Sequence, residues 1–176
     1  MNYNPQKHNR QSIRLKGYDY SRAGLYFITI CCQNRICRFG NIVNGEMHLN
    51  EYGQIAYNEW MNLPKRFPNM EMDVFQIMPN HMHGIVCLRD SVGATVGATV
   101  GATARVAPTV GDIIGAYKSL TTNACLKIYK SKQQKMGKLW QRNYYEHIIR
   151  HKKSYHKIAR YIRNNPIYWE NDRFYG

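Results

Sequence analysis

The sequence predicts an α+β fold of the ferredoxin-like split βαβ kind: an antiparallel sheet with helices on one face, extended by a further helix at the C-terminus. Three observations carry this. Hydrophobic residues make up 44% of 176 residues, enough for one domain with a real core. The periodic segments run strand, helix, strand, strand, helix, strand, helix, which is the split βαβ order with one helix added. The runs Met72–Met78 and His81–Leu88 are separated only by Pro79-Asn80, so they must fold back as an antiparallel pair.

Each element has its own signal. Residues 1–23 are polar and basic, with Arg14, Lys16 and Arg22, and read as an arm or loop. Leu25–Cys32 (LYFITICC) is β-branched and aromatic, a buried strand. Turn residues between Gly40 and Asn50 mark a short hairpin. Glu51–Leu63 places Ile55, Ala56, Trp60 and Leu63 at helical spacing, and Pro64 is expected to stop that helix. Val92–Thr95, Val96–Thr99 and Val100–Thr103 repeat VGAT three times. That unit is too small to build a core or a solenoid, so residues 91–110 are expected to be a flexible insertion in a single domain spanning 1–176. Gly111–Tyr129 aligns Ile113, Ile114, Tyr117, Leu120 and Ala124 on one helical side, with Lys118 and Lys127 on another. Tyr144–Ile149 reads as a strand. Ser154 is placed to cap a last helix to about Asn164, which Pro166 ends.

Charge points to a partner rather than to a fold. The formal net charge is +14. Residues 105–176 hold 15 Lys and Arg against 4 Asp and Glu, and residues 1–104 hold 10 against 7. A basic, tyrosine-rich second half suits a polyanion, although a solvated basic face fits the charge equally well. Five cysteines without a C-x-x-C pair argue against a disulfide framework and a zinc ribbon, and fit reduced thiols in a cytoplasm. The N-terminus has no apolar core of the kind a signal peptide needs, and Leu25–Cys32 is far too short to span a membrane. Phosphate-loop and dinucleotide glycine motifs are absent, which argues against nucleotide-driven chemistry.

Three constellations can carry chemistry. His81 and His83 are two apart on a strand, so both imidazoles face one side and can converge on one ion, while Met82, Val86 and Leu88 face the core. Two ordinary hydrogen-bonded histidines fit the same pattern. Tyr161 and Asn165 are four apart, on one helical face. Together they offer a nucleophile and an amide oxygen, or simply a packing tyrosine and a helix terminator. Tyr155, six residues before Tyr161, is turned about 240° away. From Trp140 to Trp169, cations such as Arg142, Lys157 and Arg160 alternate with aromatics, as in surfaces that track a phosphate backbone and stack on unpaired bases.

Together these segments resemble a known family. IMPNHMHGIV (77–86) resembles the metal-binding strand of the HUH enzymes, with Met82 as the large apolar residue between the histidines. LWQRNYYEHIIR (139–150), YIRNNP (161–166) and RLKGYDYSRAGLYFITICCQNR (14–35) resemble REP-associated tyrosine transposases, and the match covers most of the chain and omits the VGAT insertion. The resemblance implies a bacterial cytoplasmic enzyme that cleaves and rejoins single-stranded DNA at hairpin repeats through a 5′-phosphotyrosine. Tyr161 is then the nucleophile. His81, His83 and Asn165 bind a divalent metal, Mg²⁺ or Mn²⁺. Asn165 stands where single-tyrosine insertion-sequence transposases usually carry Gln, which favours the REP-associated branch. Arg14, Lys16, Lys118, Arg142, Lys157 and Arg160 are the expected DNA contacts. Relatives include monomers and dimers, so both states stay open. A non-catalytic single-stranded nucleic-acid-binding module is the alternative from another class, and a replication-initiator or relaxase nuclease shares the histidines and tyrosine in longer chains.

Overall fold

The computed structural model describes residues 17–90 and 107–175. The arm carrying Arg14 and Lys16, and the VGAT repeats, lie outside the described residues.

Gly24–Cys31 (β1) turns Tyr26, Ile28 and Ile30 to one face and Phe27 and Thr29 to the other, and all five are buried. Such a strand must lie inside a sheet covered on both sides. It pairs antiparallel with His81–Leu88 (β5) and with Tyr145–Ile149 (β6). Met70–Ile77 (β4) pairs with the far edge of β5, giving the order β4-β5-β1-β6. β5 thus lies between β1 and β4, as the split βαβ reading requires. Pro79-Asn80 makes the expected turn, closed by Met78 N–H on the His81 carbonyl at 2.8 Å. Gly40–Val43 (β2) and Glu46–Leu49 (β3) form a separate hairpin. Its Asn44-Gly45 tip has φ of 52° and 76°, the left-handed pair that a two-residue turn needs.

Glu51–Arg66 (α1) and Val110–Ser131 (α2) share one face of the sheet. There Trp60 and Tyr117 pack edge to face, ring centroids 5.1 Å apart, beside Ile28, Met82 and Val86. Asn50 caps α1 by accepting from the N–H groups of Tyr52 and Gly53, and Thr109 with Asp112 closes a capping box on α2. Pro64 does not stop α1: it lies inside the helix, which continues through Lys65 and Arg66, the cations that suit its C-terminal end.

Lys152–Asn164 (α3) covers the opposite face, over Phe27, Ile85 and Ile149, through Ala159 and Ile162. The helices therefore lie on both faces, the two crossover helices on one and the C-terminal helix on the other. Ser154 does not cap α3; the helix starts two residues earlier from His151, with no side-chain cap. The β4–β5 pairing slips between Met72 and Phe75. This irregularity leaves Asp73 to accept a hydrogen bond from Tyr155 of α3 at 3.1 Å, and Val74 to pack in the α3-side cluster.

Gly84 lies under Trp60. A Cβ there would meet Trp60 Cζ2 at 2.8 Å, and Trp60 is fully buried with no room to retreat. Gly84→Ala is expected to lower unfolding free energy by about 1–3 kcal/mol through overpacking, read from denaturant titration. A wild-type midpoint would show that the Trp60 layer can shift.

Candidate functional site

The register of the two central strands builds the site. Cys31 pairs with His81 and Thr29 with His83, so both histidines stand at one end of the sheet, on the α3 face. Both are fully buried. Asn80 Nδ2 donates to the carbonyls of Arg35 (3.1 Å) and Phe174 (2.8 Å), which leaves its Oδ1 as an acceptor for His81 Nδ1–H at 2.8 Å. Thr29 Oγ1 meets His83 Nδ1 at 2.8 Å. With the Nδ1 edges engaged, the two Nε2 atoms face each other at 3.0 Å. Two bare ring nitrogens that close repel unless a proton or a cation stands between them. Partners on the far ring nitrogen are what metal-binding imidazoles use to fix tautomer and orientation.

Tyr161 and Asn165 arrive from α3. Asn165 keeps helical angles (φ −55°, ψ −40°) although Pro166 follows, so the two side chains stay on one face. Tyr161 Oη lies 3.1 Å from His83 Nε2 and 3.1 Å from Asp172 Oδ2, two acceptors for its single hydrogen. Asn165 is buried; its Nδ2 donates to Asp172 Oδ2, and its Oδ1 has no hydrogen-bond partner. A buried, unpartnered amide oxygen is costly, and a cation is one group that would satisfy it.

Asp172 was not foreseen from the sequence. After Pro166 the chain reverses through Trp169–Asn171, a single 3₁₀ turn, and brings this carboxylate back onto the histidines. Ligand atoms of His81, His83 and Asp172 lie within 4.8 Å of one another, a group that can hold a metal ion. Two nitrogens and a carboxylate oxygen form a mixed donor set of the kind that divalent metals use. Phe174 and Trp169 close the site, their ring centroids 4.7 and 5.9 Å from that of His81. The available signal was weak: Asp172 is one of four acidic residues in the basic second half.

No protein-family model matches the chain. An uncharacterised protein of Haemophilus influenzae is 44% identical over 179 residues, covering 98% of this chain and 97% of that protein, and the two belong to one family. A second protein of that organism, provisionally named a REP-associated tyrosine transposase, is 23% identical over 85% of this chain and 73% of its own length. A solved structure of a REP-associated tyrosine transposase bound to a REP hairpin superposes with a TM-score of 0.60 and 21% identity, over 88% of this chain and 73% of that one. This chain resembles the REP-associated tyrosine transposases in sequence and shares their fold.

The expected DNA contacts within the described residues lie on α2, on the loop that follows it and on α3. Lys118 is half-buried, and its Nζ donates to the carbonyls of Gln141 (2.6 Å) and Arg142 (2.9 Å). It clamps the loop that carries Arg142. Arg142, Lys138 and Lys118 line a cleft of about 370 Å³ beside α2. Lys157 and Arg160 are exposed on α3, the helix that carries Tyr161. Among the described residues, no helix is long and apolar enough to cross a membrane.

Burial dominates the acid–base behaviour. It holds His81 and His83 below the usual imidazole range, against a partial upward pull from Asp172 on His81. Burial, then the Asp172 charge and hydrogen bond, push the Tyr161 phenol above its ordinary value. The unfolded chain takes up protons on these histidines below about pH 6.5, while the folded chain resists them. The stability contributed by neutral His81 and His83 is complete above that pH and is lost as pH falls. With chelator present, denaturant titration is expected to show a loss of about 1–3 kcal/mol between about pH 7 and pH 5, shrinking when His83 is replaced by Gln. Equal pH dependence in the variant would remove the histidines as its source.

Proposed function

We propose that this protein is a metal-dependent transposase that cleaves and rejoins single-stranded DNA at hairpin-forming palindromic repeats, through a 5′-phosphotyrosine on Tyr161. The supporting observation is the placement of Tyr161 Oη, 3.1 Å from His83 Nε2 at the mouth of a converging donor set. Although the histidines are buried, Tyr161 is 40% exposed, so a DNA phosphate can approach it from solvent.

His81, His83 and Asn165, joined by Asp172, would hold a divalent cation, Mg²⁺ or Mn²⁺. When bound, such an ion polarises a phosphate oxygen and offsets negative charge at the reacting centre. The protein's own part is positional. Asp172 Oδ2 accepts from both Tyr161 and Asn165 and so fixes phenol and amide together. The Phe27 ring meets that of Tyr161 edge to face at 6.3 Å and limits its swing. In cleavage, the Tyr161 Oη–phosphorus bond forms, the phosphorus–O3′ bond breaks, the phenol proton is released and the 3′ oxygen leaves as a hydroxyl. Rejoining is the reverse attack by a 3′-hydroxyl on the phosphotyrosine. The ester energy is conserved, so no nucleotide cofactor is required.

Arg14, Lys16, Arg142, Lys157 and Arg160 supply phosphate contacts in this reading, with Lys118 acting through the loop it clamps. A basic, single-stranded-DNA-processing protein of this kind works in the cytoplasm, on the nucleoid when bound.

Tyr161→Phe is the direct test. With a labelled hairpin oligonucleotide from the DNA flanking the gene and Mn²⁺, the wild type should give a covalent adduct on a denaturing gel. The variant should give none, while its hairpin affinity stays within about threefold. An adduct formed by the variant would take the nucleophile role from Tyr161.

A further inference from the structure

Arg173 follows Asp172 on the segment that closes the site. Its backbone is fixed on both sides: its carbonyl accepts from Arg35 Nη1 at 3.1 Å, and the next N–H, of Phe174, donates to Asp172 Oδ1 at 2.7 Å. Its guanidinium carbon lies 5.6 Å from the ring centroid of Tyr145 and 4.6 Å from that of Phe174. Two aromatic rings therefore hold a planar cation while the residue remains exposed. Among the described residues, its guanidinium makes no ion pair or hydrogen bond. Other arginines differ: Arg35 donates through Nη1 to the Arg173 carbonyl, and Arg38 donates to Tyr129 Oη at 2.9 Å. The Phe174 ring on which Arg173 stacks has its centroid 4.7 Å from that of His81 and 5.7 Å from that of His83, so the guanidinium stands one ring away from the paired imidazoles.

An unspent guanidinium stacked one ring away from the paired histidines matches one ligand chemistry well. Its fork meets two oxygens of a phosphate or carboxylate at once. In a chain of net charge +14 that is read as acting on DNA, the phosphodiester is the anion that must reach this point. We infer that Arg173 is a catalytic residue of the proposed reaction: it grips the non-bridging oxygens of the phosphate presented to Tyr161 and stabilises the charge that grows as the Oη–phosphorus bond forms. This rests on the transposase reading above. A merely structural Arg173 would serve as a stacked plug that holds the tail against Tyr145 and Phe174, and its charge would be dispensable.

Two variants separate these roles. Arg173→Met keeps an apolar stem on the rings and removes the charge; Arg173→Lys keeps a charge and loses the fork. Single-turnover adduct formation is measured with the labelled flanking-repeat hairpin and Mn²⁺, alongside hairpin affinity by gel shift. Arg173→Met is expected to slow adduct formation on the order of 10²-fold with affinity within about threefold, and Arg173→Lys to fall between it and wild type. A wild-type rate in Arg173→Met overturns the assignment and leaves the transposase reading intact. So does a loss of rate matched by an equal loss of affinity, the signature of a general backbone contact. A wild-type chain that forms no adduct overturns the transposase reading and this assignment with it.

Discussion

Two imidazole nitrogens face each other at 3.0 Å inside a protein, and the rest of the structure is arranged around that fact. Neither ring can be charged cheaply, because both are buried. Neither can turn away, because Thr29 and Asn80 hold their outer nitrogens. The antiparallel register of β1 and β5 sets the first constraint, and the Pro79-Asn80 turn sets the second. The elements with most apolar area, α1 and α2 around Trp60 and Tyr117, lie on the opposite face and keep the sheet rigid beneath the pair. Precision at the histidines thus combines direct contacts from Thr29, Asn80, Phe27 and Phe174 with packing on the far face of the sheet.

The α3 face adds what the pair lacks. A short apolar cluster of Phe27, Ile85, Ile149, Ala159 and Ile162 seats the helix and, with it, Tyr161 and Asn165. The C-terminal segment then folds back to deliver Asp172 as a negative charge and Arg173 as a positive one. Asp172 meets a phenol whose ionisation is opposed by burial, and Arg173 stacks on Phe174, the ring that closes the site. The surface outside this point is strongly basic, which draws a polyanion toward a site whose own chemistry is finely balanced.

Much of this was legible in the chain. Period-two strands around Pro79-Asn80 and a helix repeat ending near Pro166 were enough for the fold and for pairing His81 with His83 and Tyr161 with Asn165, while the meeting of the two pairs was implied by the family resemblance. Helix ends were less legible. Pro64 looked like a stop because its ring and missing N–H act against the preceding turn, yet α1 runs through it to Arg66. Ser154 looked like a cap because capping residues also occur inside first turns. Asp172 carried no periodic signal at all; its place is decided by a chain reversal after Pro166 and by bonds to Tyr161 and Asn165 that exist only once the fold is complete. Lys118 shows the converse. As a lysine on a helix face it resembled a phosphate contact, and only the approach of the 141–142 carbonyls reveals its partner.

The account stands on the converging nitrogens being one half of a cation site. Calorimetric titration of Mn²⁺ into the purified, chelator-treated protein tests this most directly. One ion per chain is expected, with the binding heat abolished when His81 and His83 are both replaced by Ala and weakened when Asp172 is replaced by Ala. No binding by the wild type, or undiminished binding by the double-histidine variant, would contradict it.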